Sequence, residues 1–241
     1  MRVGLLIASV AVLAACNLTA NAQRNDAAAS DASTRRSYTV ASFDAVSLAG
    51  PHQVIVTVGG APSVTAEGDA DMLDSLEIKV EGGDLKIGQK KGNWNWTNRR
   101  PVTVRVTVPS LKAAAIGGSG DIRIDRVNGD KFTAAIGGSG NIDVQQLSVG
   151  SADFSIAGSG DIKAAGKANS TTVSIAGSGD VEIGGLESRD STVSVVGSGN
   201  ASVRATGAAS VSVMGSGDVR VAGGGRCDVR KMGSGNVHCD G

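Results

Sequence analysis

The chain has 241 residues, with 23 Lys and Arg balanced by 23 Asp and Glu, and only three Phe, two Trp and one Tyr beside 35 Gly. A formal charge of zero argues against binding nucleic acid or an anionic membrane surface, both of which call for a basic excess. So few aromatics fit a narrow core filled by stacked aliphatic side chains.

Residues 1–16 form the first predicted element, a bacterial lipoprotein signal. Arg2 precedes an apolar stretch from Val3 to Val12, too short for a membrane-spanning helix, and Leu13-Ala14-Ala15-Cys16 resembles a lipobox. Cys16 is thus the expected lipidation site and the membrane anchor. Cleavage after an Ala-x-Ala-like site, without an anchor, is the alternative. Asn17 rather than Asp follows the cysteine, and the resemblance of this to enterobacterial sorting signals implies an outer-membrane lipoprotein, facing the periplasm or the exterior. Residues 17–37 lack periodic apolar positions and predict a flexible tether.

The folded domain is expected to span residues 38–241, with an irregular part over 38–111 and a regular one over 112–241. Strands are predicted at Val54-Ile55-Val56-Thr57-Val58 and at Val102-Thr103-Val104-Arg105-Val106-Thr107-Val108, spaced like early coils that cap a solenoid. Between them, Lys90 to Arg100 holds both tryptophans and four cations. Trp94, Trp96, Arg99 and Arg100 suit contact with a sugar or a protein partner. The other reading is a hairpin or end cap in which the tryptophans cover the core.

From residue 112 the chain repeats. Gly-Ser-Gly followed by Asp or Asn begins at Gly118, Gly138, Gly158, Gly177, Gly197, Gly215 and Gly233, in steps of 20, 20, 19, 20, 18 and 18 residues. A period in this range signals a solenoid whose units share one core. Aligned on the first glycine, Ile116, Ile136, Ile156, Ile175, Val195 and Val213 share a column. Ala114, Ala134, Phe154, Val173, Val193, Val211 and Val229 lie two residues earlier, and Ser155, Ser174, Ser194 and Ser212 stand between the columns. Alternation of this kind means extended chain.

Beyond the corner the alternation resumes. Ile122, Ile142, Ile162, Val181, Val219 and Val237 point inward, and Arg123, Asp143, Lys163, Glu182, Ser202, Arg220 and His238 form an outward column. Opposite charges alternate over its first four units, which favours correct register, because stacked side chains sit ~4.8 Å apart. Each coil is read as two short strands, a tight Gly-Ser-Gly-Asp/Asn corner and a looser return such as Gly184 to Asp190. Glycine reaches positive φ at the corner, and Asp or Asn can bond amides two residues on. The predicted fold is an all-β, single-stranded parallel β-helix.

Candidate chemistry is sparse. The corner column Asp121, Asn141, Asp161, Asp180, Asn200, Asp218, Asn236 could gather calcium, but Asn interrupts the acids and the spacing departs from the calcium-binding nonapeptide, so turn formation is the preferred role. His52 and His238 have no acid partner or nucleophile placed by the repeat, so no catalytic residue, metal site or cofactor is assigned. Cys227 and Cys239 both fall on inward columns of the last coil, where a disulfide is sterically feasible in an oxidising setting; two buried thiols are the alternative.

The opening Phe43-Asp44-Ala45-Val46-Ser47-Leu48-Ala49-Gly50, Val54-Ile55-Val56, Gly83-Asp84-Leu85-Lys86-Ile87 and the repeated Ile-x-Gly-Ser-Gly-Asp/Asn-Ile units resemble the head GIN domain family of autotransporter adhesins. The resemblance covers roughly residues 40 to 241, implies a right-handed single-stranded β-helix and supplies no catalytic residues. The expected function is a non-enzymatic, adhesin-like or structural envelope lipoprotein whose partner is a surface glycan or an envelope protein. The alternative is a periplasmic β-helix that binds or processes carbohydrate.

Overall fold

The computed structural model describes residues 34–90 and 101–240. Among the described residues, seventeen strands and one short helix form a β-solenoid of about six turns. Its regular part starts with β8 (Ala113–Gly118) and β9 (Asp121–Ile124). It continues through β10 (Val127–Gly138), β11 (Asn141–Gly158), β12 (Ile162–Gly177), β13 (Val181–Gly197) and β14 (Ala201–Gly215). The last coils comprise β15 (Val219–Ala222), β16 (Arg226–Met232) and β17 (Val237–Cys239).

Register follows the expected columns. Ile116 pairs with Ile136, Ile136 with Ile156, Ile156 with Ile175 and Ile175 with Val195, and all are buried. Ser155 and Ser174 point to solvent between them. A slip of one residue would expose every Ile and Val, so burial itself fixes the register.

The returns differ from the expectation of loose loops. Lys167 pairs with Glu187, Ala168 with Ser188 and Ser170 with Asp190, so the return is a third stacked side of each coil. It earns this order by burial: Val127, Leu147 and Leu186 lie in one column inside it. Changes in repeat length are absorbed there, at register shifts between Val144 and Leu147, Lys163 and Ala165, and Glu182 and Glu187. Thr171, Ser188 and Ser191 bring hydroxyls into this side, where Thr171 donates to Ser191 at 2.9 Å and Ser188 to the Arg204 carbonyl at 2.9 Å.

Residues 34–111 depart furthest from the sequence reading. Thr34–Tyr38 form β1, so the tether expected to reach residue 37 gives way earlier to a strand. Next come β2 (Ala45–Ala49), β3 (Gln53–Val58), β4 (Ser63–Gly68), helix α1 (Ala70–Ser75), β5 (Leu76–Glu81), β6 (Asp84–Gln89) and β7 (Thr103–Val108). Strands β2 and β3 stack directly on β8 and β9, while β6 and β7 lie on their other side. Chain order and coil order therefore differ: the chain builds the second coil, passes outward to the first, and then returns to the third.

The amino-terminal end is closed by antiparallel pairings. Strand β5 covers β6, β4 covers β7, and β1 covers β4. Met72 and Leu73 of α1 are buried there. Lys90 ties the end of β6 to this cap, its amide donating to the Ser75 carbonyl at 2.9 Å and its Nζ to that of Asp74 at 2.8 Å.

Candidate interaction surface

Solvent-facing chemistry is organised around the corner. At the first glycine the backbone takes positive φ, 144° at Gly158, which favours glycine. The second glycine is required by close approach: a Cβ on Gly160 would lie 2.0 Å from the Gly140 carbonyl oxygen. Freed of side chains, the corners bond to one another, as when the Ser159 amide donates to the Gly138 carbonyl at 2.9 Å.

Asp and Asn act between coils, which corrects the expectation of a bond two residues on. Asp121 Oδ1 accepts the Asn141 amide at 3.2 Å, and Asn141 Oδ1 accepts that of Asp161 at 3.2 Å. Asp161 Oδ1 then accepts the Asp180 amide at 3.1 Å, and Asp180 Oδ1 that of Asn200 at 2.8 Å. Asn200 Oδ1 accepts from Asp218 at 3.0 Å and Asp218 Oδ1 from Asn236 at 2.7 Å, completing the ladder. Asn side chains also donate, Asn200 Nδ2 reaching Asp180 Oδ1 at 2.9 Å, so alternation of Asn with Asp relieves carboxylate repulsion. One oxygen of each Asp is thereby engaged with backbone. Among the described residues no three metal-ligating side chains converge.

Beside this ladder runs the charged outward column. Lys163 Nζ lies 2.9 Å from Glu182 Oε2, and that contact holds the lysine above its ordinary pKa. Between ladder and column lie shallow depressions of about 360 Å³, lined among others by Asp180, Asn200, Asp218, Arg220 and His238, and about 260 Å³, lined among others by Asp121, Asn141 and Arg123. His238 does have an acid partner, contrary to expectation: its Nε2 sits 2.8 Å from Asp240 Oδ1, and Arg220 reaches Asp240 Oδ2 at 3.2 Å. All three are surface groups. His52 is buried, accepts the Val102 amide on Nδ1 at 3.3 Å, and is held below its ordinary pKa by burial.

The outer face of the first strand is different. Its rows read Thr133-Ala135, Asp153-Ser155, Thr172-Ser174, Thr192-Ser194 and Ser210-Ser212, a flat sheet of small side chains. The column nearest the corner on this face becomes steadily more apolar, from Gly117 and Gly137 through Ala157 and Ala176 to Val196, Met214 and Met232. Val196 is 50%, Met214 54% and Met232 69% exposed. Sequence reasoning aligned the neighbouring columns but passed over this one, although the same alignment displays it.

Cys227 stacks on Ala209 and Cys239 on Val221, and the two are bonded across the last coil with Cα atoms 6.5 Å apart. Cys16, Trp94, Trp96, Arg99 and Arg100 lie outside the described residues. No helix among the described residues is long and apolar enough to cross a membrane.

The solenoid is similar to several solved structures. A protein described as a putative adhesin from Bacteroides fragilis superposes with a TM-score of 0.79 at 22% identity, covering 86% of this chain and 97% of that one. A Parabacteroides distasonis protein described as a putative lipid binding protein gives 0.70 at 22% identity, covering 87% and 97%. A putative adhesin from Parabacteroides merdae gives 0.67 at 19%, covering 87% and 96%. Likeness at these identities speaks for the fold alone. Among curated proteins none matches. The family described as "Putative auto-transporter adhesin, head GIN domain" matches residues 42–225, spanning the first stacked strands and six of the seven Gly-Ser-Gly corners, and the chain belongs to it.

Proposed function

We propose that this chain is a non-enzymatic, adhesin-like envelope protein that holds a rigid solenoid on the outer membrane through a lipid at Cys16 and presents its flat face to a surface glycan or an envelope protein. The observation that carries the reading is the Ser/Thr/Ala sheet of the first strand, whose small side chains stack in register from Thr133 to Ser212; at its amino-terminal margin, beside Ala115 and Gly117, the face borders a depression of about 490 Å³ that Glu77, Lys79 and Lys86 also line. Such a surface suits broad, shallow docking better than enclosure of a substrate. Membership of an adhesin-like family agrees with it.

Protease shaving of intact cells tests the orientation. Loss of the domain is the expected result; protection would remove adhesion and leave only a periplasmic role. A Ser155→Arg, Ser174→Arg variant, folded by thermal melt, should lose retention on cell-envelope fractions. Labelled palmitate should enter the wild type and not Cys16→Ser, and equal labelling of both would remove the anchor.

The depressions beside the corner ladder favour one second reading, binding of a carbohydrate whose hydroxyls meet Asp, Asn and Arg220. A glycan array separates the two, because glycan binding lost in Arg220→Ala yet intact in the face variant would select the groove. The lipid-binding description of one structural relative is not carried over, since 22% identity transfers fold only.

A further inference from the structure

The depression of about 490 Å³ at the amino-terminal margin of the flat face is built from two rows of outward residues. Glu77, Gly88, Ala49 and Gly117 form one row across β5, β6, β2 and β8, and Lys79, Lys86, Ser47 and Ala115 form the next. Gly88 and Gly117 give the depression its depth. Neither belongs to the glycines with positive φ. A Cβ on Gly117 would have no described atom within 4 Å, and one on Gly88 would make ordinary contact with Ala49 at 3.6 Å. The backbone therefore demands glycine at neither position, and later coils carry Val196 and Met214 in the same row. Glycine weakens a strand interior, and where no other backbone comes close it marks the approach of a ligand.

The wall beside this floor carries both signs of charge. Lys79 and Lys86 lie directly opposite each other, a pairing of like charges that by itself disfavours the sheet. Glu81 draws the two ammoniums together, at 2.9 Å from Lys79 and 2.6 Å from Lys86, while Glu77 lies 3.6 Å from Lys79. Two carboxylates cancel two ammoniums at this wall, so a charged ligand meets no net partner. A ligand rich in hydroxyls meets an acceptor in Glu77 and donors in Lys79 and Lys86. Asp84, paired with Glu81 one row further out, takes the Ser47 hydroxyl at 2.7 Å and leaves the serine oxygen's lone pairs to accept.

We propose that this depression seats an uncharged sugar ring, whose C–H face lies on Gly88, Ala49 and Gly117 and whose hydroxyls bond to Glu77, Lys79, Lys86 and Ser47. The volume falls in the range of small-ligand pockets, and an apolar floor with a few convergent polar groups is their usual make-up. The proposal rests on the reading of the flat face as a docking surface for a glycan, and it names the kind of sugar. The floor row runs on from Gly117 through Gly137 to Ala157, so a glycan chain leaving the depression passes directly onto the Ser/Thr face.

An array of neutral, uronic-acid and amino-sugar oligosaccharides, probed with the purified full chain in detergent, tests this. The wild type is expected to retain neutral oligosaccharides over both charged classes. Gly117→Met fills the depression with a side chain that the same row already holds at Met214, and Glu77→Ala removes the acceptor. Each should weaken retention at least about tenfold with an unchanged thermal melt. Ala176→Met, three coils further along the row, and Arg220→Ala should both bind as the wild type does. A blank array, preference for a charged class, or retention that survives Gly117→Met or is lost in Arg220→Ala would each overturn the proposal. A blank array beside wild-type retention on cell-envelope fractions would do so and leave the docking face standing, whereas loss of both would remove the face as well.

Discussion

Gly160 and His52 show how much a single position can carry when coils are stacked at van der Waals distance. A Cβ on Gly160 would meet a backbone carbonyl of the coil before it at 2.0 Å, and a backbone atom cannot swing aside as a flexible side chain can. Gly160→Ala should therefore cost about 3 kcal/mol or more. Gly137→Ala should be nearly neutral, because the nearest atom to its Cβ is 3.7 Å away and the equivalent sites already hold Ala157 and Ala176. Chemical denaturation of the two variants decides between a steric demand of the second corner glycine and a general preference for glycine. His52 responds to pH instead. Burial lowers its pKa from the ordinary 6.5, so the folded state keeps it neutral while the unfolded chain takes up a proton. Stability is then fully present above pH 6.5 and is lost as the pH falls below that value. His52→Gln should flatten the fall in melting temperature between about pH 7 and pH 5; an equal fall in both proteins would assign the acid sensitivity elsewhere.

At the scale of the element, the corner ladder converts a turn preference into a link between coils. Asp161 supplies the acceptor for the Asp180 amide, and Asn supplies the same acceptor at Asn141 and Asn200. Asp161→Asn should be tolerated, whereas Asp161→Ala leaves that amide without its acceptor and should cost about 1 kcal/mol. Because the carboxylates serve the backbone, chelator should leave the melt where millimolar calcium leaves it; a shift of many degrees would make the column a calcium site. The strand columns were legible because burial writes a period of two into residues such as Ile156, Val173 and Val193. The direction of the Asp and Asn bonds was not, since sequence gives a side chain's capacity and only stacking supplies its partner. Returns such as Gly184 to Asp190 read as loops because they are rich in Gly, Ser and charge, yet Leu186 anchors them as strand. In residues 34–111 nothing local marks that β6 and β7 lie outside β2 and β3. That order is set by which strand finds an unpaired edge.

Across the whole molecule each coil touches only its neighbours, so stability is nearly a sum of coil and interface contributions and an end can open while the middle stays folded. The amino-terminal end is held by α1 and three antiparallel pairings, whereas the last coil has β14 and β15 beneath it and the Cys227–Cys239 bond across it. That bond joins residues 12 apart in sequence, and closing so short a loop contributes about 2–3 kcal/mol in the chain-entropy model. The contribution acts on the coil that contains it. Replacing both cysteines by serine should speed hydrogen exchange at amides such as Gly235 and Asp240, which donate to Gly215 and Val221. Amides in the middle, such as those of Ile142 and Ile162, should exchange as before, and the main melt should move little. Uniform acceleration along the stack would show that the solenoid opens as one cooperative unit. Unchanged exchange at the last coil, or alkylation of both thiols of the periplasmic protein without reductant, would remove the bond as the element that holds this end closed.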